Sequence, residues 1–222
     1  MVANKVPNKQ ISDLFIRVGR FQFIILTMIL LGFVAVGYPF VLQWAGEANA
    51  NAFLIAILLF IPTILPSIQN LGIEILRAKN MHKFRSIVYV LVAVLNIIIS
   101  IPLCAWFGSV GVAIGTAIPV FIGNGLIMNW YYNKYIGLDI PRFWRRITAL
   151  LPSLVLPAIA AVLIACLAHV TGYLGILIWG CVYIIVFIVS VWLLGLTPRE
   201  KEIVTTPLKK MIYKIVSKIL RF

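Results

Sequence analysis

Ser67, Asn70, Glu74 and Arg77 follow one another at spacings of three, four and three, so on a helix they share one face at the end of a long apolar run. Two chemistries suit that stripe. It can line a water-filled path that binds a polar solute or a coupling cation, with Glu74 as the ionisable group. It can equally be the polar end of a packed helix, with Glu74 and Arg77 in an interfacial ion pair. Pro62 and Pro66 precede the stripe at the same four-residue step. Each removes an amide donor and crowds the preceding turn, which predicts a kink or break with exposed carbonyls on nearly the same side. Asn96 sits in the middle of another apolar run, and Asn124 and Asn129 follow a third kink position, Pro119. Amides buried between membrane helices contribute about 0.6–2 kcal/mol through interhelical hydrogen bonds, and that adhesive role suits Asn96.

Catalytic chemistry finds few groups to work with. The chain has six acidic residues and two histidines, with no metalloprotease helix, phosphate-binding loop, nucleophile elbow or paired carboxylates on one helix face. An enzyme is not expected. Cys104, Cys166 and Cys181 fall in or near apolar runs at unrelated spacings, which reads as packing and not as a disulfide set or metal site. No metal or other cofactor is expected either.

The elements that must position the polar stripe are set by lipid. Hydrophobic residues make up 63% of the chain and charged residues 11%, with a mean hydropathy of +1.07, so an all-α integral membrane protein is predicted. Six runs free of charge cover residues 21–44, 52–73, 86–107, 112–132, 147–170 and 173–196. About 20 residues of helix cross the ~30 Å hydrocarbon core, which predicts six transmembrane helices. The third and fourth runs are separated by Gly108-Ser109-Val110-Gly111, where glycine permits a tight turn. Gly111 with Gly115, and Ala113 with Ala117, then let another backbone approach closely.

Lys and Arg cluster before the first run and after the second, fourth and sixth, whereas the loops near Glu47, Ser109 and Thr171 have none. That bias predicts cytoplasmic N- and C-termini and explains the net charge of +13 without nucleic acid. Residues 1–20 read as a cytoplasmic lead-in with no cleavable signal, including a short surface helix that turns Leu14, Phe15 and Val18 to the bilayer. Arg142, Arg145 and Arg146, interleaved with Phe143 and Trp144, suit anionic headgroups at about 1 kcal/mol per cation. Residues 208–222 read as a basic amphipathic surface helix that places Lys209, Lys210, Lys214 and Lys218 on the same leaflet. Spans five and six are almost purely apolar, and His169 at their outer end reads as an interfacial histidine.

Five stretches in order carry a family resemblance: FIRVGRFQF at 15–23, IQNLGIEILRAKN at 68–80, LN at 95–96, GSVGVAIGTA at 108–117 and NWYY at 129–132. Together they resemble the C-terminal part of bacterial polysaccharide flippases of the O-antigen or capsule type, over about residues 11–144. The resemblance implies a partial multidrug-and-toxin-extrusion-like fold, with a four-helix part of a C-terminal lobe at 21–146, two additional helices at 147–196 and a cytoplasmic tail at 197–222. It also implies an inner-membrane, multi-pass transporter for undecaprenyl-pyrophosphate-linked oligosaccharide in surface polysaccharide (lipopolysaccharide O-antigen) biosynthesis. Asn70, Glu74, Arg77, Asn96, Asn124 and Asn129 would then line the substrate path. The implied partners are membrane lipids, a missing N-terminal half, and polysaccharide polymerase and glycosyltransferases. Alternating access needs two bodies around a shared site, so the chain alone is expected not to transport. A cation-coupled exporter with Glu74 as coupling carboxylate, and a non-catalytic membrane scaffold, are the alternatives.

Overall fold

The computed structural model describes residues 7–168, 170, 172–203 and 205–206, and among these the only regular structure is helical. The expected surface helix at 208–222, with its four lysines, and His169 lie outside the described residues. Among the described residues four helices are long and apolar enough to cross a membrane, or five when a pair bent by 44° is taken as one span.

Helix α1 (Asn8–Ala45) is the longest uninterrupted element among the described residues, and most of the other helices pack on it. Its 38 residues extend about 57 Å, well beyond a hydrocarbon core. The expected separate surface helix is therefore the first part of this one. Phe15 is buried, its ring 4.9 Å from Phe143 and 6.2 Å from Tyr132, and is not turned to the bilayer. The reason is α6 (Ile140–Thr148), which buries Ile140, Phe143 and Ile147 against it. The basic loop expected at 134–146 contains this helix, started by Pro141 in the first turn and by Asp139, whose side chain accepts the Arg142 N–H at 3.0 Å.

After Gly46 and one 3-10 turn come α2 (Asn51–Ile68) and α3 (Asn70–Ala78), separated by Gln69. Helix α2 continues through Pro62 and Pro66, and the interruption falls three residues beyond the second. Ser67 and Thr63 hydroxyls donate to the Thr63 and Phe60 carbonyls, bonding backbone groups near the prolines.

Helix α4 (His82–Val120) folds back on itself at Gly108, whose φ of 60° and ψ of −138° suit only glycine. A Cβ on Gly111 would meet the Leu103 carbonyl, and one on Gly115 would meet Ser100. Residues fifteen apart lie more than ~20 Å apart along a straight helix, so these contacts define two antiparallel arms, 82–107 and 109–120. The close partner of the Gly111–Gly115 pair is thus the preceding arm of the same hairpin. The second arm continues through a π-helical turn (Phe121–Ile127) that starts two residues after Pro119, α5 (Met128–Tyr131) and a second π turn (Tyr132–Ile136).

Helices α6 and α7 (Leu151–Leu167) form the bent pair, and α8 (Gly172–Ser190) ends in a π turn (Val191–Gly195). Two cores result. One gathers Phe15, Ile68, Leu76, Tyr132, Ile136 and Phe143 at the basic end. The other packs Ala35 of α1 between Ala161 and Ile164 of α7 and Tyr183 and Phe187 of α8. Outside these cores the helices leave large apolar residues bare, Ile101 at 67% and Trp106 at 76% among them. Such continuous apolar surface is what lipid, and not water, solvates.

Candidate functional site

The interruption at Gln69 organises the polar interior. Its buried amide turns inward and donates to Asn129 Oδ1 at 2.6 Å, while Asn129 Nδ2 donates to the Gly125 carbonyl at 2.6 Å. A buried amide without partners costs about 1–3 kcal/mol, so this pair fixes the α2–α3 break against the π turn of the facing arm. With the helix offset there, Pro66, Ser67 and Asn70 border a hollow of about 450 Å³ completed by Gln22 of α1 and by Arg85 and Tyr89 of α4. A second hollow of about 650 Å³ shares Ile73, Arg85 and Tyr89 with the first and adds Arg77, His82 and Ser86. The two form one groove along α3 and the first arm of α4.

Arg85 is the centre of that groove. One guanidinium nitrogen donates to the Tyr89 hydroxyl at 2.7 Å, and the Tyr89 hydroxyl donates to Asn124 Oδ1 at 3.4 Å. The guanidinium carbon lies 4.7 Å from the Tyr89 ring centre. Its other terminal nitrogen is buried with no protein partner among the described residues, and so is Gln22 Oε1 across the same hollow. No carboxylate pairs with Arg85 among the described residues. An unneutralised cation, an unpartnered acceptor and hydroxyl and amide neighbours beside Ile25, Leu26 and Ile73 suit a ligand with anionic and hydroxyl groups attached to an apolar body.

The sequence-derived candidates do not gather in one place. Asn70 borders the first hollow and Arg77 the second. Glu74 borders neither: its carboxylate accepts from Arg77 at 2.9 Å, with both side chains more than 60% exposed. Asn96 accepts from Ser100 at 2.7 Å and from Thr116 at 3.3 Å, joining the two arms of α4. Asn124 and Asn129 are buried within the network just described. Pro66 borders the groove, Pro62 faces an apolar cleft with Leu58 and Phe121, and Pro119 is buried. Gln22, Arg85 and Tyr89 are the groove residues that sequence reasoning passed over. Gln22 is an amide alone in an apolar run, and Arg85 and Tyr89 stand four apart at the start of a helix, so both signals were available.

At the basic end a second polar site joins distant parts of the chain. Arg20 of α1 and Glu200 form a buried ion pair at 2.7 Å, with further Arg20 donation to the Gly195 carbonyl at 3.0 Å and to the Arg146 carbonyl. Glu200 also accepts from the Thr197 N–H and hydroxyl, closing a capping box at the start of the helical residues 198–203. Burial alone would raise the Glu200 carboxyl, but the Arg20 and Thr197 donors and the Arg20 charge outweigh it and hold the group below its ordinary range. Arg142 contacts Asp13 at 2.6 Å, as an ion contact outside hydrogen-bond alignment. Arg145 and Arg146 are exposed.

No protein-family model matches this chain, and neither a curated protein nor a solved structure is significantly similar to it.

Proposed function

We propose that the chain is part of a carrier that moves lipid-linked oligosaccharide, with undecaprenyl pyrophosphate as the lipid anchor, across a bacterial inner membrane for surface polysaccharide synthesis. The observation that carries this reading is the groove with Arg85 unneutralised and Gln22 Oε1 unpartnered between apolar helices. A guanidinium fork suits pyrophosphate oxygens, and amide and hydroxyl neighbours suit sugar hydroxyls. Dividing the 82–136 helix at Gly108 turns the five candidate spans into six and leaves the groove at the end that bears the basic residues. In this reading a second lobe faces the groove, since alternating access requires two bodies. Glu74 supports the cation-coupled exporter less well, because its carboxylate meets Arg77 on open surface and lies outside the groove.

A photoreactive undecaprenyl-pyrophosphate oligosaccharide added to the reconstituted chain tests the reading. Cross-links are expected on Gln22, Asn70 and the 85–89 turn, and Arg85→Gln should weaken binding about tenfold or more, as removal of a charged hydrogen bond worth ~1.5–3 kcal/mol implies. Cross-links spread evenly over the lipid-facing side of 87–101, unaffected by that substitution, would sink it.

A further inference from the structure

A third hollow, of about 470 Å³, lies between α1, α6 and residues 197–203, with Arg17, Arg20, Arg142, Arg146 and Arg199 around it. The two carboxylates it contains are engaged, Glu200 by Arg20 and Asp13 by Arg142. Arg17, Arg146 and Arg199 have no carboxylate partner among the described residues and are exposed. The Arg20–Glu200 and Arg142–Asp13 pairs give the hollow a fixed wall, while three like charges converge on its open side. That arrangement is relieved by an anion with several oxygens, and guanidinium forks bind phosphate bidentately.

The surroundings say which phosphate. The hollow sits at the end of α1 where the apolar run begins, and Leu193 and Leu194, each 67% exposed, directly precede Gly195, whose carbonyl bonds Arg20. A free phosphate would leave that apolar surface bare. A phosphate carrying acyl chains would cover it. Basic pockets between helices at a membrane surface take headgroups of this kind. We propose that this hollow is a discrete binding site for an anionic phospholipid with two headgroup phosphates, cardiolipin being the type, distinct from diffuse attraction between a basic face and a charged leaflet. The proposal rests on the membrane reading of the chain and is independent of what the Arg85 groove carries.

Arg145 supplies the control, because it is exposed on α6 beside Arg146 yet does not border the hollow. The full chain would be reconstituted in phosphatidylcholine nanodiscs with and without a minor fraction of cardiolipin, and bound lipid counted by native mass spectrometry. Saturable retention is expected, weakened roughly fivefold by each of Arg17→Gln, Arg146→Gln and Arg199→Gln, which follows from ~1 kcal/mol per cation. Arg145→Gln should change it by less than about twofold, and inorganic phosphate should not displace the lipid. Equal loss with Arg145→Gln, binding that never saturates, or displacement by inorganic phosphate would each overturn the site. Co-elution of the chain with the discs is scored separately. Failure to insert would overturn the membrane reading as well, whereas insertion without selective retention overturns this site alone.

Discussion

Arg20 and Glu200 show how one ion pair can hold distant parts of a chain, since it links α1 to residues 180 positions away through side chains only 6% and 8% exposed. Glu200→Ala would leave the Arg20 guanidinium buried without its carboxylate. Breaking such a pair removes about 3–5 kcal/mol, and the hollow beside it keeps the loss near the lower end. Thermal unfolding in detergent should show this. Because the folded carboxyl titrates below its unfolded value of ~4.3, its stabilisation is complete above that pH and is lost as pH falls through the folded value. Glu200→Gln should therefore flatten the acid limb of stability against pH, and an unchanged limb would show that other carboxylates set it. The partnership itself was not readable beforehand, since Arg20 looked like one more cytoplasmic charge and nothing local marks a contact so distant in sequence. The capping box was readable, because Thr197-Pro198-Arg199-Glu200 has the required spacing.

Among the elements, the fold-back at Gly108 has the clearest geometric consequence. A Cβ on Gly123 would stand 3.8 Å from the Val92 Cβ, within the range that a disulfide spans. In a chain with Cys104, Cys166 and Cys181 replaced by serine, Val92→Cys with Gly123→Cys should cross-link under mild oxidation. A straight helix would hold those positions more than ~45 Å apart and give no cross-link. The break was legible because its glycines interrupt an uncharged stretch of 48 residues, 86–133, and glycine at a positive φ has few substitutes. The α2–α3 interruption was anticipated less well. Two prolines drew the expected kink to themselves, whereas Gln69, turned inward to Asn129, marks where the helix parts. Proline advertises a missing donor in sequence, while an amide that finds its partner sixty residues later does not. For the same reason Asn70, Glu74 and Arg77, aligned on an ideal helix, separate: Asn70 and Arg77 border the two ends of the groove, and Glu74 lies on open surface. Helix α6 was passed over because its three arginines drew attention to headgroups, although Ile140, Phe143, Trp144 and Ile147 recur at helical spacing and mark the face that α1 covers.

For the whole molecule, the distribution of Lys and Arg predicts sidedness. With a membrane-impermeant maleimide applied from the face opposite the basic loops, Asn49→Cys and Ser109→Cys should label and Lys83→Cys should not, each position being exposed. Labelling of Lys83→Cys together with Ser109→Cys would contradict both the orientation and the crossing of the membrane by the first arm of α4. The Arg20 clamp also bears on the order of assembly. Translation at ~5–20 residues per second separates Arg20 from Glu200 by about ten seconds or more. During that interval α1 is complete, yet its guanidinium lacks the carboxylate, and the Gly195 carbonyl is made only shortly before Glu200 does arrive. A chain released after residue 196 should accordingly be cleaved by protease near α6 much faster than one extended through residue 203. Equal cleavage of the two would mean that the bundle closes without its latch. The turn that carries Glu200 is thus made after the helix it holds, so the bundle closes only once residues 197–203 have been synthesised.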